Sequence, residues 1–287
     1  MAAATPITRS HLVPRSWRCH YCDHQEPART QCPSCGGTLF RFSGSGTQRA
    51  ERELLRALPE TRLLRLDTDV ARERARPEAI LGAFARGDAD VLLGTQMVAK
   101  GFDFPRVTLV GVLDADVALH LPDFRAAERT FQLLIQVAGR AGRGRAPGEV
   151  LVQTCSPDHP AIAAAVTGDT ARFVEDELAE RRDAGYPPDR RLATLLMAGP
   201  DVSQVEAAAE GCAEVLRPIA EERRVVVLGP APQTLAKLRG RHRWHLLLKG
   251  ESAAVRATAA AGLDWAESRA RPGSVRVQVD VDPVDVL

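Results

Sequence analysis

Residues 90–113 read DVLLGTQMVAKGFDFPRVTLVGVL, and they decide the fold class. Two short apolar runs, Asp90–Gly94 and Val107–Leu113, lie at the two ends of this stretch. Runs of this length with few polar residues predict strands that are buried on both faces. Helical periodicity precedes them at Pro77–Arg86 and follows them at about residues 125–138. Strands that alternate with helices predict an α/β fold with a parallel sheet.

The same alternation extends outward over about residues 44–155, and residues 156–188 are interpreted as a bridging segment of the same predicted domain. A helix that follows Ser45-Gly46-Thr47 is predicted through Leu58, and Thr170–Ala184 is predicted as a charged bridging helix that Gly185 ends. Two more strands complete this predicted α/β domain, and they lie at Arg62–Leu66 and Glu149–Thr154.

Residues 189–287 follow a different order, with two helices among four strands. The order βαββαβ predicts a small α+β domain of the split-βαβ type. The predicted elements are strand Leu192–Ala198, helix Val202–Glu221, strands Val225–Leu228 and Arg243–Lys249, helix Ala253–Ala270 and strand Val275–Val281.

The composition is that of an ordinary globular protein, with 45% hydrophobic and 26% charged residues over 287 positions. This length accommodates about two domains with cores of their own. No apolar run approaches the roughly 20 residues of a membrane helix, and the N-terminus has no signal-peptide core. A cytoplasmic protein is therefore expected.

Four of the six cysteines form two pairs in residues 1–43, and these pairs are Cys19/Cys22 and Cys32/Cys35. Two residues between thiolates let both sulfurs bind one tetrahedral metal ion. The spacing predicts a structural zinc module, with all four cysteines as ligands. Incidental thiols and a redox CxxC motif are the two alternatives, and a redox motif normally opens a helix in a thioredoxin-like unit.

Gln136-Val-Ala-Gly139-Arg140-Ala-Gly142-Arg143 follows a predicted helix and precedes a strand. Two guanidinium groups three residues apart can both reach one polyphosphate, because each binds phosphate oxygens in a planar fork and keeps its charge. Such a group at a γ-phosphate is an arginine finger. The alternative, a basic surface turn, explains a single Gly-Arg pair better than it explains this longer pattern.

The stretch Gly94–Pro105 follows a strand, and in it Thr95 and Gln96 are candidate contacts to a nucleic-acid backbone. Asp103 is a candidate acceptor for a ribose hydroxyl. The sequence contains no G-x-x-x-x-G-K-[ST] phosphate loop. The arginine pattern therefore predicts half of a nucleotide site.

Residues 223–249 contain seven Lys or Arg and no Asp or Glu, although the net charge of the chain is only +1. A cation-rich loop with Arg239, Arg241 and Arg243 beside Trp244 suits single-stranded nucleic acid, through phosphate contacts and base stacking. The alternation around Trp244 leaves a second interpretation open, in which the indole packs against the sheet.

Several motifs together resemble the PriA family of superfamily 2 DNA helicases. They are Cys19-His-Tyr-Cys22, Cys32-Pro-Ser-Cys35, Gly94-Thr-Gln-Met-Val-Ala-Lys-Gly101, Asp123-Phe-Arg-Ala-Ala-Glu128, Gln136–Arg143, Pro157-Asp-His-Pro160, Gly229-Pro-Ala-Pro232, Arg239–Lys249 and Asp280-Val-Asp-Pro283. The resemblance covers essentially the whole chain. It implies a zinc-ribbon module at residues 1–43, a RecA-like second helicase lobe at 44–188, and an α+β domain for DNA and partner binding at 189–287.

The resemblance also implies an activity. Proteins of this family bind abandoned replication forks, unwind DNA 3′ to 5′ with ATP and Mg²⁺, and reload the replicative helicase together with primosome proteins and single-stranded-DNA-binding protein. It implies that Gln136, Arg140 and Arg143 are catalytic and that Arg241 or Arg243 pairs with a carboxylate of that partner's acidic tail. The remaining implied contacts are Gly101, Asp103, Gly139 and Gly142 to nucleotide, and Thr95, Gln96 and Lys100 to nucleic acid.

Two departures from the family pattern stand out. The family's zinc module has four CxxC pairs that bind two zinc ions, each shared between an upstream and a downstream pair, and only two pairs are present here. The first helicase lobe and the N-terminal DNA-binding domain are also missing. The sequence is therefore expected to be a fragment without ATPase activity of its own. The alternative is a non-catalytic DNA-binding scaffold for primosome assembly.

Overall fold

The computed structural model describes residues 8–9, 16–18, 25–27, 46–67, 77–96, 98, 104–121, 123–142, 147–269, 275–284 and 286. Within the first 45 residues it gives three short strands, β1 (Thr8–Arg9), β2 (Ser16–Arg18) and β3 (Gln25–Pro27). They form an antiparallel sheet in the order β1-β2-β3. The four cysteines predicted to bind zinc lie outside the described residues.

The described chain divides into two compact units. One unit, here called the lobe, contains the described residues of Arg41–Leu121 and Arg125–Glu177. The other, here called the tail unit, contains those of Pro122–Phe124 and Leu178–Leu287 together with the N-terminal strands. The predicted boundaries at residues 43/44 and 188/189 stay predictions.

The lobe alternates strands and helices, as its sequence predicts. Its parallel strand pairs are β4 with β5 and β6 with β7, each a two-stranded sheet of its own. In chain order the elements are α1 (Thr47–Ala57), β4 (Leu63–Leu66), α2 (Pro77–Arg86), β5 (Val91–Gly94), β6 (Leu109–Val112), α3 (Asp116–Leu119), α4 (Ala126–Ala138), β7 (Glu149–Val152) and α5 (Pro160–Thr167). The helix α6 (Thr170–Ala184) follows; its residues through Glu177 belong to the lobe and the rest belong to the tail unit.

The predicted parallel pairing of strands is confirmed, and the described strands form two separate two-stranded sheets. Each pair has its own hydrophobic cluster, with Leu66 and Leu81 buried beside β4 and β5, and Leu134 and Ile162 beside β6 and β7. Two helices were also missed, α3 and α5. The segment of α5 reads PAIAAAVT and has no polar face, so the 3.6-residue period is weak there.

The tail domain, residues 191–281, has the predicted βαββαβ order. Its four-stranded antiparallel sheet runs β11-β8-β10-β9, so the first strand pairs with the third and fourth. Its elements are β8 (Arg191–Gly199), α7 (Val202–Glu222), β9 (Val226–Leu238), β10 (Arg241–Gly250), α8 (Ser252–Glu267) and β11 (Arg276–Val281).

One hydrophobic core holds both helices of the tail domain against one face of the sheet. Leu195 of β8, Leu216 of α7 and Leu246 of β10 are fully buried in it. Buried and half-buried residues alternate along β8 only from Leu195 to Gly199, as the period of a strand predicts, and the apolar stripe of α7 has the period of a helix. Among the described residues no helix is both long and apolar enough to cross a membrane.

Candidate nucleotide and nucleic-acid site

The arginine loop, residues 139–148, begins where α4 ends. Gln136 lies in the last turn of α4 and is half-buried. The amide of Gly139 donates to the carbonyl of Ile135 (3.0 Å), and the amide of Arg140 donates to that of Val137 (3.0 Å). Arg140 therefore continues the helical spiral one turn beyond Gln136, and its side chain is half-buried. Gln136 and Arg140 therefore lie one helical turn apart, on either side of the carboxyl end of α4.

The arginine loop closes on itself where the backbones of Gly142 and Gly148 meet, here called the glycine neck. Gly142 has a φ of +73°, and a Cβ placed on it would lie 2.5 Å from the amide nitrogen of Gly148. A Cβ on Gly148 would in turn collide with the amide nitrogen of Gly142. Only glycine fits such an approach of two backbones. The structure thus gives Gly142 a role within the loop's own backbone, in addition to any contact with a nucleotide.

The 95–108 loop starts at the carboxyl end of β5. Its first residues, Thr95 and Gln96, are exposed, and the amide of Val98 donates to the carbonyl of Thr95 (3.0 Å). Phe104 is buried and meets Phe84 edge-on, with ring centroids 5.0 Å apart. Both ends of the loop are therefore fixed to the core of the lobe, and the predicted contacts Lys100, Gly101 and Asp103 lie between them in sequence.

The two loops meet at Val107. The amide of Gly142 donates to the carbonyl oxygen of Val107 (3.1 Å), and the amide of Glu149 donates to that of Thr108 (2.8 Å). Both acceptors belong to the chain that enters β6 at its amino end. The arginine loop and the exit of the 95–108 loop thus share one edge of the lobe, although about 40 residues separate the two motifs in sequence.

A buried carboxylate that the sequence analysis missed stabilises the opposite edge. Asp116, which begins α3 after β6, accepts hydrogen bonds from the amide of Cys155 (2.8 Å) and the hydroxyl of Thr154 (3.0 Å), which follow β7. The pKa of Asp116 lies below its ordinary value, chiefly because of the Cys155 amide. A lone Asp after an apolar run gives no sequence signal for partners that lie 38 and 39 residues away.

The basic region of the tail domain is the tip of a β-hairpin, so the prediction of a cation-rich loop is wrong. β9 extends to Leu238, which pairs with Arg241 of β10. Arg239 and Gly240 form a two-residue turn with φ of +49° and +77°, as in a type I′ hairpin. The side chains of Lys237, Arg239 and Arg241 are exposed. Cationic groups from both strands are thereby displayed at one end of the hairpin.

The residues next along β10 are less accessible. Arg243 is half-buried opposite a bulge, because residues 233–236 of β9 lie between the partners of His242 and Trp244. Trp244 packs against the tail core, which confirms the sheet-packing interpretation of this residue. Burial lowers the pKa of His245, and a hydrogen bond with the backbone of Ala231 only partly offsets this. His245 is therefore neutral at physiological pH and adds no charge to the tip.

Several predicted site residues lie outside the described residues. They are Cys19, Cys22, Cys32, Cys35, Lys100, Gly101, Asp103 and Arg143.

Two family models match the chain, and they cover different parts of it. Residues 39–145 match the "Helicase conserved C-terminal domain". Residues 182–284 match the "Primosomal protein N C-terminal domain". These matches define the class: a helicase C-terminal lobe of the RecA-like type, followed by a primosomal C-terminal domain.

Relatives from distant bacteria agree with this class. Replication restart protein PriA of Bacillus subtilis is 45% identical over 239 residues, which is 83% of this chain and 30% of that protein. PriA of Synechocystis is 39% identical over 94% of this chain and 32% of its own length, and PriA of Treponema pallidum is 41% identical over 99% and 42%. The chain belongs to the PriA family and matches its C-terminal portion. It spans between 30% and 42% of these three relatives.

Proposed function

We propose that this chain forms the second motor lobe and the tail domain of an ATP-dependent helicase for replication restart, which unwinds DNA 3′ to 5′. The bond between the Gly142 amide and the Val107 carbonyl is the main support, because it brings the arginine loop to the exit of the 95–108 loop (3.1 Å). In the proposed helicase the arginine loop would bind the nucleotide and the 95–108 loop would bind the nucleic acid. The hydrogen bond between them would allow one site to affect the other.

In this proposal the lobe binds ATP from one side. ATP supplies the phosphoanhydride bond whose hydrolysis drives unwinding. Arg140 and Arg143 would hold its terminal phosphate oxygens, since a guanidinium group stays charged and donates in a planar fork. Gln136, one helical turn before Arg140, would help to orient the terminal phosphate. The backbone at Gly101, Gly139 and Gly142 would approach the nucleotide, and Asp103 would accept a ribose hydroxyl.

Nucleic acid would be bound at two places. Thr95, Gln96 and Lys100 would contact the backbone of the translocated strand. The exposed Lys237, Arg239 and Arg241 of the hairpin tip, with Arg243 behind them, would contact phosphates of single-stranded DNA or the acidic tail of single-stranded-DNA-binding protein. Forked DNA, primosome proteins and helicase-loading proteins complete the expected partners, and the work takes place in the bacterial cytoplasm.

Zinc is the expected metal for residues 1–43. Four cysteine thiolates are the ligand set that structural zinc prefers. Cys19, Cys22, Cys32 and Cys35 would hold it, and the bound ion would stabilise the fold of this segment. Metal analysis of the purified chain, before and after Cys32→Ser with Cys35→Ser, tests this assignment. Zinc content that is unchanged in the double variant contradicts it.

A chimera tests the motor assignment. The chain replaces the matching 239 residues of the Bacillus subtilis relative, and DNA-stimulated ATP hydrolysis is measured. We expect hydrolysis by the chimera and none by the chain alone, because the chain has no phosphate loop. Arg140→Ala or Arg143→Ala should lower kcat by about a thousandfold, as removal of an arginine finger does.

Arg256→Ala is the matched control, because Arg256 is exposed on α8 of the tail domain. This variant should hydrolyse ATP at the rate of the unmodified chimera. ATP hydrolysis by the chain alone that disappears in Arg143→Ala contradicts the proposal of half a site. An inactive but DNA-binding chimera favours the non-catalytic scaffold.

A further inference from the structure

The carboxyl end of α2 leaves one backbone carbonyl to a donor from elsewhere in the lobe. Gly87 follows the helix with a φ of +92°. The amides of Gly87 and Asp88 donate to the carbonyls of Phe84 and Ala83, both at 3.0 Å. These are the two hydrogen bonds of a Schellman motif. They satisfy Ala83 and Phe84, and they leave the carbonyl of Ala85 to a donor from another segment.

Arg106 supplies that donor. Its Nη2 donates to the carbonyl of Ala85 (2.5 Å), across 21 residues of sequence. A Cβ on Gly87 would lie 2.9 Å from both Nη1 and Nη2 of Arg106, so the guanidinium group lies directly against the glycine. The helix dipole also favours a cation at the carboxyl end of a helix. Arg106 therefore caps α2 from a different part of the chain.

Arg106 belongs to the exit of the 95–108 loop, here called the exit segment (residues 104–108). At the start of this segment the ring of Phe104 is buried in the core of the lobe. Near its end the carbonyl of Val107 accepts from the amide of Gly142 (3.1 Å), which belongs to the arginine loop. Arg106 is the neighbour of Val107, so the exit segment connects the end of α2 with the arginine loop.

The position of the Val107 carbonyl depends on how the exit segment is attached. The segment forms a turn, in which the amide of Val107 donates to the carbonyl of Phe104 (3.0 Å), and it lies before β6. A turn has fewer backbone hydrogen bonds than a strand inside a sheet, so side-chain contacts matter more for its local stability. Removal of the Arg106 contact therefore loosens the carbonyl to which the Gly142 amide is bonded.

We propose that Arg106 is a positioning residue, which fixes the exit segment to α2 and thereby sets where the arginine loop lies. The proposal rests on the proposed function, which puts Arg140 and Arg143 of that loop at a nucleotide. Arg106 itself touches neither ATP nor DNA in this scheme, and it acts through the carbonyl of Val107. The contacts that support the proposal all lie within the lobe.

Hydrogen exchange of the whole chain, resolved to single amides and measured without nucleotide or DNA, tests the proposal. Arg106→Ala removes the contact with Ala85 and leaves the arginine loop unchanged in sequence. The amides of Gly142 and Glu149 both donate to the exit segment. We expect them to exchange about fivefold faster, because the loss of one exposed hydrogen bond lowers the free energy of local opening. The amide of Leu134, which is buried in α4, should keep its rate.

Arg86→Ala is the matched control. Arg86 ends the same helix and is exposed, but it pairs with Asp88 (2.8 Å) instead of the exit segment. This variant removes a guanidinium group from the same helix end and should leave exchange at Gly142 unchanged.

Two further variants separate the contact from the fold of the lobe. Arg106→Lys keeps a cation that can donate to the Ala85 carbonyl, so it should return exchange at Gly142 to nearly the rate of the unmodified chain. If it does not, the contact with Ala85 is not what holds the segment, and the proposal fails. Arg106→Met keeps the aliphatic stem and replaces Arg106→Ala if that variant also loses protection at Leu134.

The chimera with the Bacillus subtilis relative gives a readout at the level of activity. Arg106→Ala should lower its kcat for ATP hydrolysis by about tenfold, because a displaced arginine loop loses contacts that matter in the transition state. KM for ATP should stay within about twofold, since no uniform loss of nucleotide binding is expected. A contact that serves only the fold would change neither constant.

Unchanged exchange at Gly142 and Glu149 in Arg106→Ala overturns the proposal, and so does equal acceleration in Arg86→Ala. A normal kcat of the chimera with Arg106→Ala overturns it too, because the attachment is then only structural. If the unmodified chimera is inactive, the proposed function fails, and the exchange rates still decide whether Arg106 holds the arginine loop.

Discussion

At the scale of single residues, Gly142 shows how one glycine can serve geometry and chemistry together. In the sequence pattern, a glycine at position 142 allows the loop to approach a phosphate. The structure also places Gly142 in the glycine neck with Gly148. Gly142→Ala should destabilise the lobe by about 1–2 kcal/mol from the left-handed φ alone, and the approach to 2.5 Å adds to this. Urea unfolding measures the decrease in stability.

Gly139→Ala is the control for this prediction. Gly139 has a φ of −67°, and a Cβ on it would lie no closer than 3.5 Å to the carbonyl oxygen of Ile135. The alanine should be tolerated at little cost or with a small gain. Equal destabilisation by the two substitutions would contradict the role assigned to the glycine neck.

Asp116 gives the lobe a dependence on pH. Its folded pKa is lowered, so its contribution to stability is present above the ordinary aspartate pKa of about 3.9 and is lost as the pH falls below it. Asp116→Asn should therefore destabilise the lobe at neutral pH, and the difference from the unmodified chain should shrink towards pH ~3. Thermal unfolding across this range measures it, with exposed Asp158→Asn as control. A difference that does not change with pH would contradict the prediction.

At the scale of elements, the strongest periodic segments could be predicted and the weakest could not. The helix predicted at Pro77–Arg86 is observed with those bounds, since its apolar positions repeat at helical spacing. β9 was predicted to stop at Leu228 and extends to Leu238. Gly229 and two prolines interrupt the strand pattern there, and the strand tolerates them only through the irregular pairing with β10. This irregular pairing of β9 with β10 could not be predicted from the local sequence.

The hairpin tip leads to a prediction about salt. Arg239→Ala with Arg241→Ala removes two exposed cations from the turn region. For single-stranded DNA, each phosphate contact that the double variant loses should reduce the slope of log K against log salt by about 0.7. Fluorescence anisotropy of a labelled oligothymidine at several salt concentrations measures the slope. Arg256→Ala, on the helical side of the same domain, should keep the original slope, and an unchanged slope in the double variant would exclude the tip as a DNA-binding surface.

At the scale of the whole molecule, the sequence predicts which residues form the site better than how they meet. The pattern Gln136–Arg143 and the stretch Gly94–Pro105 identify both loops, because their chemistry depends on local spacing. The bond from Gly142 to Val107 and the placement of Asp123 and Phe124 in the tail unit depend on tertiary packing. The sequence of the segment before α4 has no periodic pattern from which its packing with residues 178–287 could be predicted.

Two compact units with separate cores should also differ in their response to core substitutions. Leu246 is fully buried in the tail core and Leu134 is 3% exposed in the lobe, so Leu→Ala at either position should cost about 2–5 kcal/mol in its own unit. Trp244 and Trp265 both pack against the tail core, so tryptophan fluorescence reports on the tail domain more than on the lobe. Leu246→Ala should move the unfolding transition seen by fluorescence to lower urea concentration. Leu134→Ala should leave the fluorescence transition largely unchanged and should move the unfolding of the lobe, which is seen by circular dichroism, to lower urea concentration. Equal shifts of both signals in both variants would mean that the two units unfold as one, because a single cooperative transition moves all probes together.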